Sequence, residues 1–369
     1  LVFLHHIETG VVFVSKKFDI PDVMKAAVLK KPMEVEIEYR PVPVPGPGEV
    51  LIKVMAVGVC GSDVHYYESG RIGSFVVEKP IILGHECSGI IVAVGENVTR
   101  FKVGDRVAVE PGVTCGKCKY CKTGRYNLCP DVVFQATPPY DGAFVQYFTH
   151  RQDFVYPIPD HLTFEEAALI EPFSVGLHAA SRADIKPGAT VAIFGLGPVG
   201  LMAVVAARAF GASNVIATDL EDVRLNAAKS VGASLVFNAK RHDVVKEIMD
   251  YTNGYGVDVA IEAAGHPTTL QNALASLCRG GKLMIVGLPA QDNIPLNIPS
   301  IADKELYIYG IFRYANTYQR AIDILASGIA DTSALITGKY SLDETARALE
   351  EARSNKANNI KIMVYPNEE

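Results

Sequence analysis

Four cysteines spaced as Cys115-x2-Cys118-x2-Cys121-x7-Cys129 are the sharpest chemical signal in the chain. Thiolates this close in sequence can surround one zinc ion tetrahedrally. Four of them leave no position open for a substrate, so such a site is structural. Lys117, Lys119 and Lys122 stand among them and offset the charge of a tetrathiolate. Four cysteine ligands also suit an iron–sulfur cluster, and that rival stays open on sequence alone. The total of 7 cysteines is odd and clustered, which favours metal binding over a disulfide framework.

Two further segments carry metal-type side chains. One is Cys60-Gly-Ser62-Asp63-Val-His65-Tyr66 and the other is Gly84-His85-Glu86-Cys87, with Glu171 much later. A lone cysteine is usually core and a lone histidine usually packs or caps. Taken together, Cys60, His85 and one glutamate supply three protein ligands and leave a fourth place open, which is how catalytic zinc is held. The residues themselves do not choose between Glu86 and Glu171.

A third signal is the run Thr190-Val-Ala-Ile-Phe-Gly195-Leu-Gly197-Pro-Val199-Gly200, a strand entering G-x-G-x-x-G. Gly195 permits the tight turn, Gly197 lets backbone N–H groups approach a pyrophosphate, and Gly200 lets the following helix pack on the strand. The helix N-terminus offers the phosphates unpaired donors and a partial positive charge. The next strand ends at Asp219, at about the spacing of 20 residues expected for a ribose-binding acid. A carboxylate there accepts from ribose hydroxyls and repels a 2′-phosphate, so the reading is NAD over NADP.

These signals need two kinds of scaffold. From Met24 to about residue 160 the pattern is strands broken by Pro and Gly, a β-rich, barrel-like region. FEEAALIEPFSVGLHAASRA, starting at Phe164, has helical spacing, with acidic residues early and Arg182 late. Strands are then expected at Thr190–Phe194, Asn214–Asp219, 234–237, Val257–Glu262, 282–287 and 306–310, with helices between most of them. That rhythm predicts an α/β, doubly wound parallel sheet. The tail from Tyr318 reads as two helices and a last strand, Lys361–Tyr365, returning to the first domain. At 369 residues two domains are the default.

A formal net charge of −6 without a dense Lys/Arg run argues against nucleic acid or an anionic membrane as the main partner. Residues 190–210 are almost all apolar, but their glycines and proline read as a buried strand, turn and helix rather than a membrane span. The start has no basic n-region and no long apolar core, a poor signal peptide, which points to the cytoplasm.

The segments CGSDVH, LGHECSG, GDRVAVEPG, the four-cysteine lobe, EPFSVGLHA and GLGPVG occur in this order in zinc-containing medium-chain dehydrogenases, which the chain resembles from about Met24 to about Tyr365. GRIGSF, GRYNLCP, ATPPYDG, LIEPFSVGLHA and GIFRYANTY are similar to the sorbitol/xylitol (polyol) branch. The resemblance implies a GroES-like catalytic domain over 24–173 and 312–369, with a structural zinc lobe at 110–130. It implies a Rossmann NAD-binding domain over 174–311. Residues 1–23 precede the family's usual opening, which Met24 fits, and read as an extension, either disordered or artefactual.

The resemblance also implies roles. Cys60, His85 and Glu86 bind catalytic zinc, and Glu171 holds the zinc-bound water. Ser62 and His65 relay the proton. Tyr66, Glu171, Arg313 and Tyr314 contact substrate. Gly195, Gly197, Val199, Gly200, Asp219, Arg224, Val286, Gly287, Leu288, Ile311, Phe312 and Arg313 contact the cofactor. One departure stands out: animal sorbitol dehydrogenases typically lack the cysteine lobe, which this chain keeps, so the branch alone does not choose sorbitol over xylitol. The expected activity is hydride transfer from a secondary alcohol of a small polyol to NAD, by a homotetramer. The alternatives are a butanediol or threonine dehydrogenase, or a non-catalytic scaffold that binds NAD and zinc.

Overall fold

The segments EVLIKVMAVG and ECSGIIVAV are apolar on nearly every position, and both bury almost all of their length on pairing. They form the spine of the first of two compact units, Leu1–Glu171 with Ile336–Glu369; the second is Pro172–Leu335. This division is seen in a computed structural model that describes all residues except 1, 2, 8, 9, 15–17, 290, 292 and 369.

In the first unit Glu49–Gly58 pairs antiparallel with Glu86–Val94, with Tyr147–Arg151 and with Lys361–Tyr365. The last of these runs parallel to Ile336–Ser341. A separate three-stranded sheet joins Glu34–Pro41, Val23–Lys31 and Ile81–Ile82. The core between them holds Leu29, Ile52, Ile91 and Phe144, all fully buried. Register matters for the site. Gly58 lies opposite Glu86 on one side and opposite Met363 on the other, so three distant segments meet at one strand end. The extension reading of residues 1–23 falls partly outside the described residues. Its described strands, Phe3–Ile7 and Gly10–Val14, pair as a hairpin whose second strand adds to Glu86–Val94.

The second unit is a six-stranded, all-parallel sheet. Its order is Leu235–Asn238, Asn214–Asp219, Thr190–Phe194, Val257–Glu262, Leu277–Ile285, Tyr307–Gly310. By chain order that is third, second, first, fourth, fifth, sixth, the doubly wound arrangement, with its switch point between the first and fourth strands. Helices cover the sheet, so Val191, Ala192, Ile193 and Phe194 have no exposed surface. The apolar stretch 190–210 resolves into one such strand and the helix Pro198–Ala209. No helix among the described residues is long and apolar enough to cross a membrane.

Three details depart from the expected pattern. The helix over 164–183 breaks into Phe164–Ala168 and Ile170–Ala183. Pro172 near the start of the second piece lacks an N–H and would clash with the preceding turn. The strand expected at 282–287 instead spans Leu277–Ile285, with a register shift against Val257–Glu262 between Val257 and Val259. Residues 312–335 group with the second unit. There the helix Tyr318–Ala326 buries Tyr318, Ala321, Ile322 and Leu325, and the chain re-enters the first unit only at Ile336.

Candidate metal centres and dinucleotide face

Cys60 is the N-cap of the helix Gly61–Ser69 and takes extended backbone there. Asp63, one turn on, accepts from the Cys60 amide at 2.9 Å, which fixes the cysteine at the helix entrance. The other oxygen of Asp63 accepts from the Gly84 amide at 3.0 Å and lies 3.6 Å from His85 Nδ1. Asp63 is completely buried, so a single carboxylate orients the cysteine and histidine segments together. Gly84 has φ +86, and the chain swings there from the loop into the strand that starts at Glu86. A Cβ on Gly58 would collide with the Glu86 carboxylate, so the absence of a side chain at Gly58 makes room for it.

The result is a set of three donors, a thiol, an imidazole and a carboxylate. The ligand atoms of Cys60, His85 and Glu86 all lie within 4.8 Å of one another. His85 Nδ1 is buried without a hydrogen-bond partner. Burial opposes a charge on His85, but the Asp63 carboxylate and Cys60 outweigh it and raise its pKa well above the ordinary imidazole value. Cys60 is half-buried and His85 and Glu86 are buried, and tightly grouped N, S and O donors suit catalytic zinc with a fourth position open. Glu171 does not fall within this set. It is buried and close enough for its charge to act on Cys87, Glu110 and Lys361. Ser62 and His65 lie three apart on the same helix, Ser62 half-buried and His65 exposed, while Tyr66 is buried.

The ligand atoms of Cys115, Cys118, Cys121 and Cys129 also lie within 4.8 Å of one another, and no cysteine is in a disulfide. Sulfurs 2.3 Å from a shared tetrahedral ion stand about 3.8 Å apart. Here Cys118 and Cys121 are 3.5 Å apart and Cys115 and Cys121 3.9 Å. That closeness suits one ion and is too tight to surround a multi-metal cluster. Backbone N–H groups of Lys117 and Cys118 lower the Cys115 thiol to about 7, whereas burial raises the Cys129 thiol to about 12, so the four cysteines do not ionise alike by themselves.

The lobe is tied to the sheet by Glu110. Its carboxylate accepts from Tyr126 at 2.8 Å, inside the lobe, and from Tyr156 at 2.9 Å. Burial raises the Glu110 pKa to about 7, Glu171 adds to the rise, and the two tyrosine donors oppose it. Phe134, just beyond the lobe, stacks at a tilt on His85 with ring centroids 5.7 Å apart.

In the second unit Gly195 has φ +91, and a Cβ there would press on Ala264 at 2.6 Å, across the switch point. A Cβ on Gly200 would collide with the Gly195 carbonyl. Gly197 caps the helix Pro198–Ala209, and a Cβ there would meet nothing within 4 Å. No protein atom demands glycine at Gly197; the open space lies before a helix N-terminus, which is where a pyrophosphate fits. Asp219 ends its strand with one oxygen on the Leu196 amide at 2.7 Å and the other on the Leu220 and Glu221 amides at 2.7 and 3.0 Å. Arg224 reaches it at 3.9 Å. Val286 and Gly287 donate to the Glu262 carbonyl, and Ile311 to Ile285. Val199, Val286, Gly287, Leu288, Ile311, Phe312 and Arg313 therefore all follow carboxyl ends of parallel strands, as a cofactor face requires. Arg313 has φ +52 with its guanidinium over Phe312, and Tyr314 is buried against Tyr318.

Gly58, Glu110, Glu262 and Lys361 shape these sites without having been singled out in the sequence, and Asp63, though part of the Cys60 segment, carried no role there. Asp63 had a local signal, its position three residues into a helix opened by Cys60. Glu262 accepts from the Ala264 and Gly265 amides and from Thr269, holding the loop that faces Gly195. Lys361 had no local signal: its partner Glu86 is 275 residues away.

The model of the alcohol dehydrogenase GroES-like domain matches residues 46–160, and that of the zinc-binding dehydrogenases matches 198–327. The chain is 64% identical over 348 residues to a sorbitol dehydrogenase of Bacillus subtilis, covering 94% of this chain and 99% of that one. Among solved structures it is similar to an oxidoreductase of unknown specificity from Escherichia coli, at 41% identity and TM-score 0.90 over 94% of this chain and all of that one. It is also similar to a zinc-binding dehydrogenase from Sinorhizobium meliloti bound to NADP, at 32% identity and TM-score 0.87, covering 94% and 100%.

Two outcomes are expected from these sites. Metal analysis should find about two zincs per chain, and Cys60→Ser should lower that to about one while abolishing turnover; unchanged zinc in the variant would overturn the three-donor assignment. The Glu110 carboxyl is held protonated in the fold, so its contribution to stability is full below its ordinary pKa and is lost as pH rises through about 7. Between pH 4 and 8 that loss is on the order of 3 kcal/mol. Glu110→Gln should therefore flatten the dependence of Tm on pH, and parallel profiles for variant and wild type would refute the assignment.

Proposed function

The chain belongs to the zinc-binding medium-chain dehydrogenases, and from that premise we propose that its sites oxidise a secondary alcohol of a small polyol to a ketose with NAD as acceptor. The observation that carries this reading is the grouping of half-buried Cys60 with buried His85 and Glu86, in a chain that also carries the glycine-loop sheet. Bound at these places, zinc would supply Lewis acidity to a substrate hydroxyl and NAD would serve as hydride acceptor. The alcohol carbon loses a hydride and its oxygen a proton, leaving the carbonyl.

The chain's own residues do the rest. Ser62 takes the proton at the site and His65, exposed on the same helix, delivers it to solvent. Glu171 holds water or a substrate hydroxyl beside the three-donor set. Tyr66, Arg313 and Tyr314 are the further partners proposed for the polyol hydroxyls. A site with several such partners rejects analogues lacking a hydroxyl by roughly 10⁴-fold or more. Cys115, Cys118, Cys121 and Cys129 would hold a second zinc, which would brace the lobe.

Asp219 supports NAD over NADP, because its carboxylate would face a 2′-phosphate with like charge. None of the seven cysteines is in a disulfide, which suits a reducing compartment, and we infer the cytoplasm. We infer a homotetramer as well. The strand Tyr307–Gly310 ends the parallel sheet and exposes Tyr307 and Ile308, and Leu288 is 77% exposed. An apolar sheet edge of this kind is normally covered.

An assay of NADH formation should show turnover with sorbitol or xylitol well above butanediol or threonine. Asp219→Ala should raise the ratio of NADP to NAD turnover by at least about tenfold, a loss of one like-charge repulsion. Preference for butanediol, or for NADP in the wild type, would overturn the respective reading. Light scattering should give a tetramer, and a monomer would refute that inference.

A further inference from the structure

Lys361 is a buried ammonium, with 1% of its side chain exposed. It opens the final strand, Lys361–Tyr365, whose pairing with Glu49–Gly58 and Ile336–Ser341 leaves its side chain little freedom of place. Its Nζ donates to Glu86 Oε2 and, at 3.0 Å, to the Val59 carbonyl. Val59 is the residue before Cys60. Burying a charge this completely is costly unless it is paired, and replacing such a pair by apolar residues is often neutral or stabilising. Stability alone is thus a weak reason for the pair, and its location beside the three donors supplies a better one.

We propose that Lys361 is a positioning residue for the catalytic metal, resting on the reading of Cys60, His85 and Glu86 as its ligands. By holding Glu86 Oε2 it restricts what the carboxylate offers the ion to the other oxygen. Its charge also changes the electrostatic sum. A thiolate and a carboxylate cancel a divalent cation, and Lys361 restores a net positive charge to the buried group. That keeps the ion electron-poor, which is what activation of a hydroxyl requires. Lys361 therefore trades metal affinity for acidity. A brace with only a structural role would do the opposite, and its loss would loosen the metal.

The test is zinc affinity, measured by chelator competition on the full-length protein, counting the zinc that Cys60→Ser removes. Lys361→Met should bind this zinc on the order of tenfold more tightly, as expected when a cation is removed beside a cation site. Lys361→Gln serves as a second neutral variant should the first fold poorly. Lys361→Arg, which keeps the charge, should stay within about threefold of wild type. The kcat of the neutral variants should fall while their zinc is retained. Equal or weaker zinc binding in the neutral variants overturns the role of Lys361 and leaves the site reading intact. Absence of a Cys60-dependent zinc in the wild type overturns the site reading and this inference with it.

Discussion

Buried charge must be paired, and the first unit is arranged round two carboxylates that obey this rule. Asp63 has no exposed surface and spends its oxygens on the Cys60 and Gly84 amides, facing His85 as well. Glu86 is nearly as buried and is met by Lys361. Each carboxylate draws segments that are distant in sequence to one point. A charged group in a low-dielectric interior tolerates no loose partner, so the pairing also sets where the thiol and imidazole stand.

The sheet makes that convergence possible. Glu49–Gly58 lies at the centre of the first unit, and its C-terminal end faces Glu86 and Met363. A side chain at Gly58 would occupy the space of the Glu86 carboxylate. The same logic recurs in the second unit, where Gly195 and Gly200 sit against backbone and Gly197 faces open space. Two of the three glycines are explained by protein packing alone, and the third by what must approach from outside.

The cysteine lobe is more than an appended staple. Tyr126 within it shares the Glu110 carboxylate with Tyr156 of the sheet, and Phe134 beyond it packs on His85. A lobe with little apolar core of its own gains order from the thiolate cluster and passes it to the histidine through these contacts. Burial raises the Glu110 pKa to about 7, in electrostatic reach of Glu171, so near neutral pH it is only partly ionised.

Local patterns in the sequence determined a good deal by themselves. Spacing alone identified the four-cysteine lobe, because its ligands fall within one loop. Period and glycine placement identified the parallel sheet and its dinucleotide turn, because strand, loop and helix are consecutive. Cys60 and His85 were legible as metal-type residues, yet the glutamate partner stayed ambiguous until resemblance favoured Glu86, and the fold then grouped Glu86 with them and left Glu171 outside. The break before Pro172, the start of a strand at Leu277 and the placement of 312–335 depended on packing between elements. Glu110 and Lys361 were invisible in the sequence, since a buried ion or hydrogen-bond pair between strands obeys no sequence spacing. Only the tertiary structure decides which distant charge a buried carboxylate meets, because only folding removes the water that would otherwise solvate both.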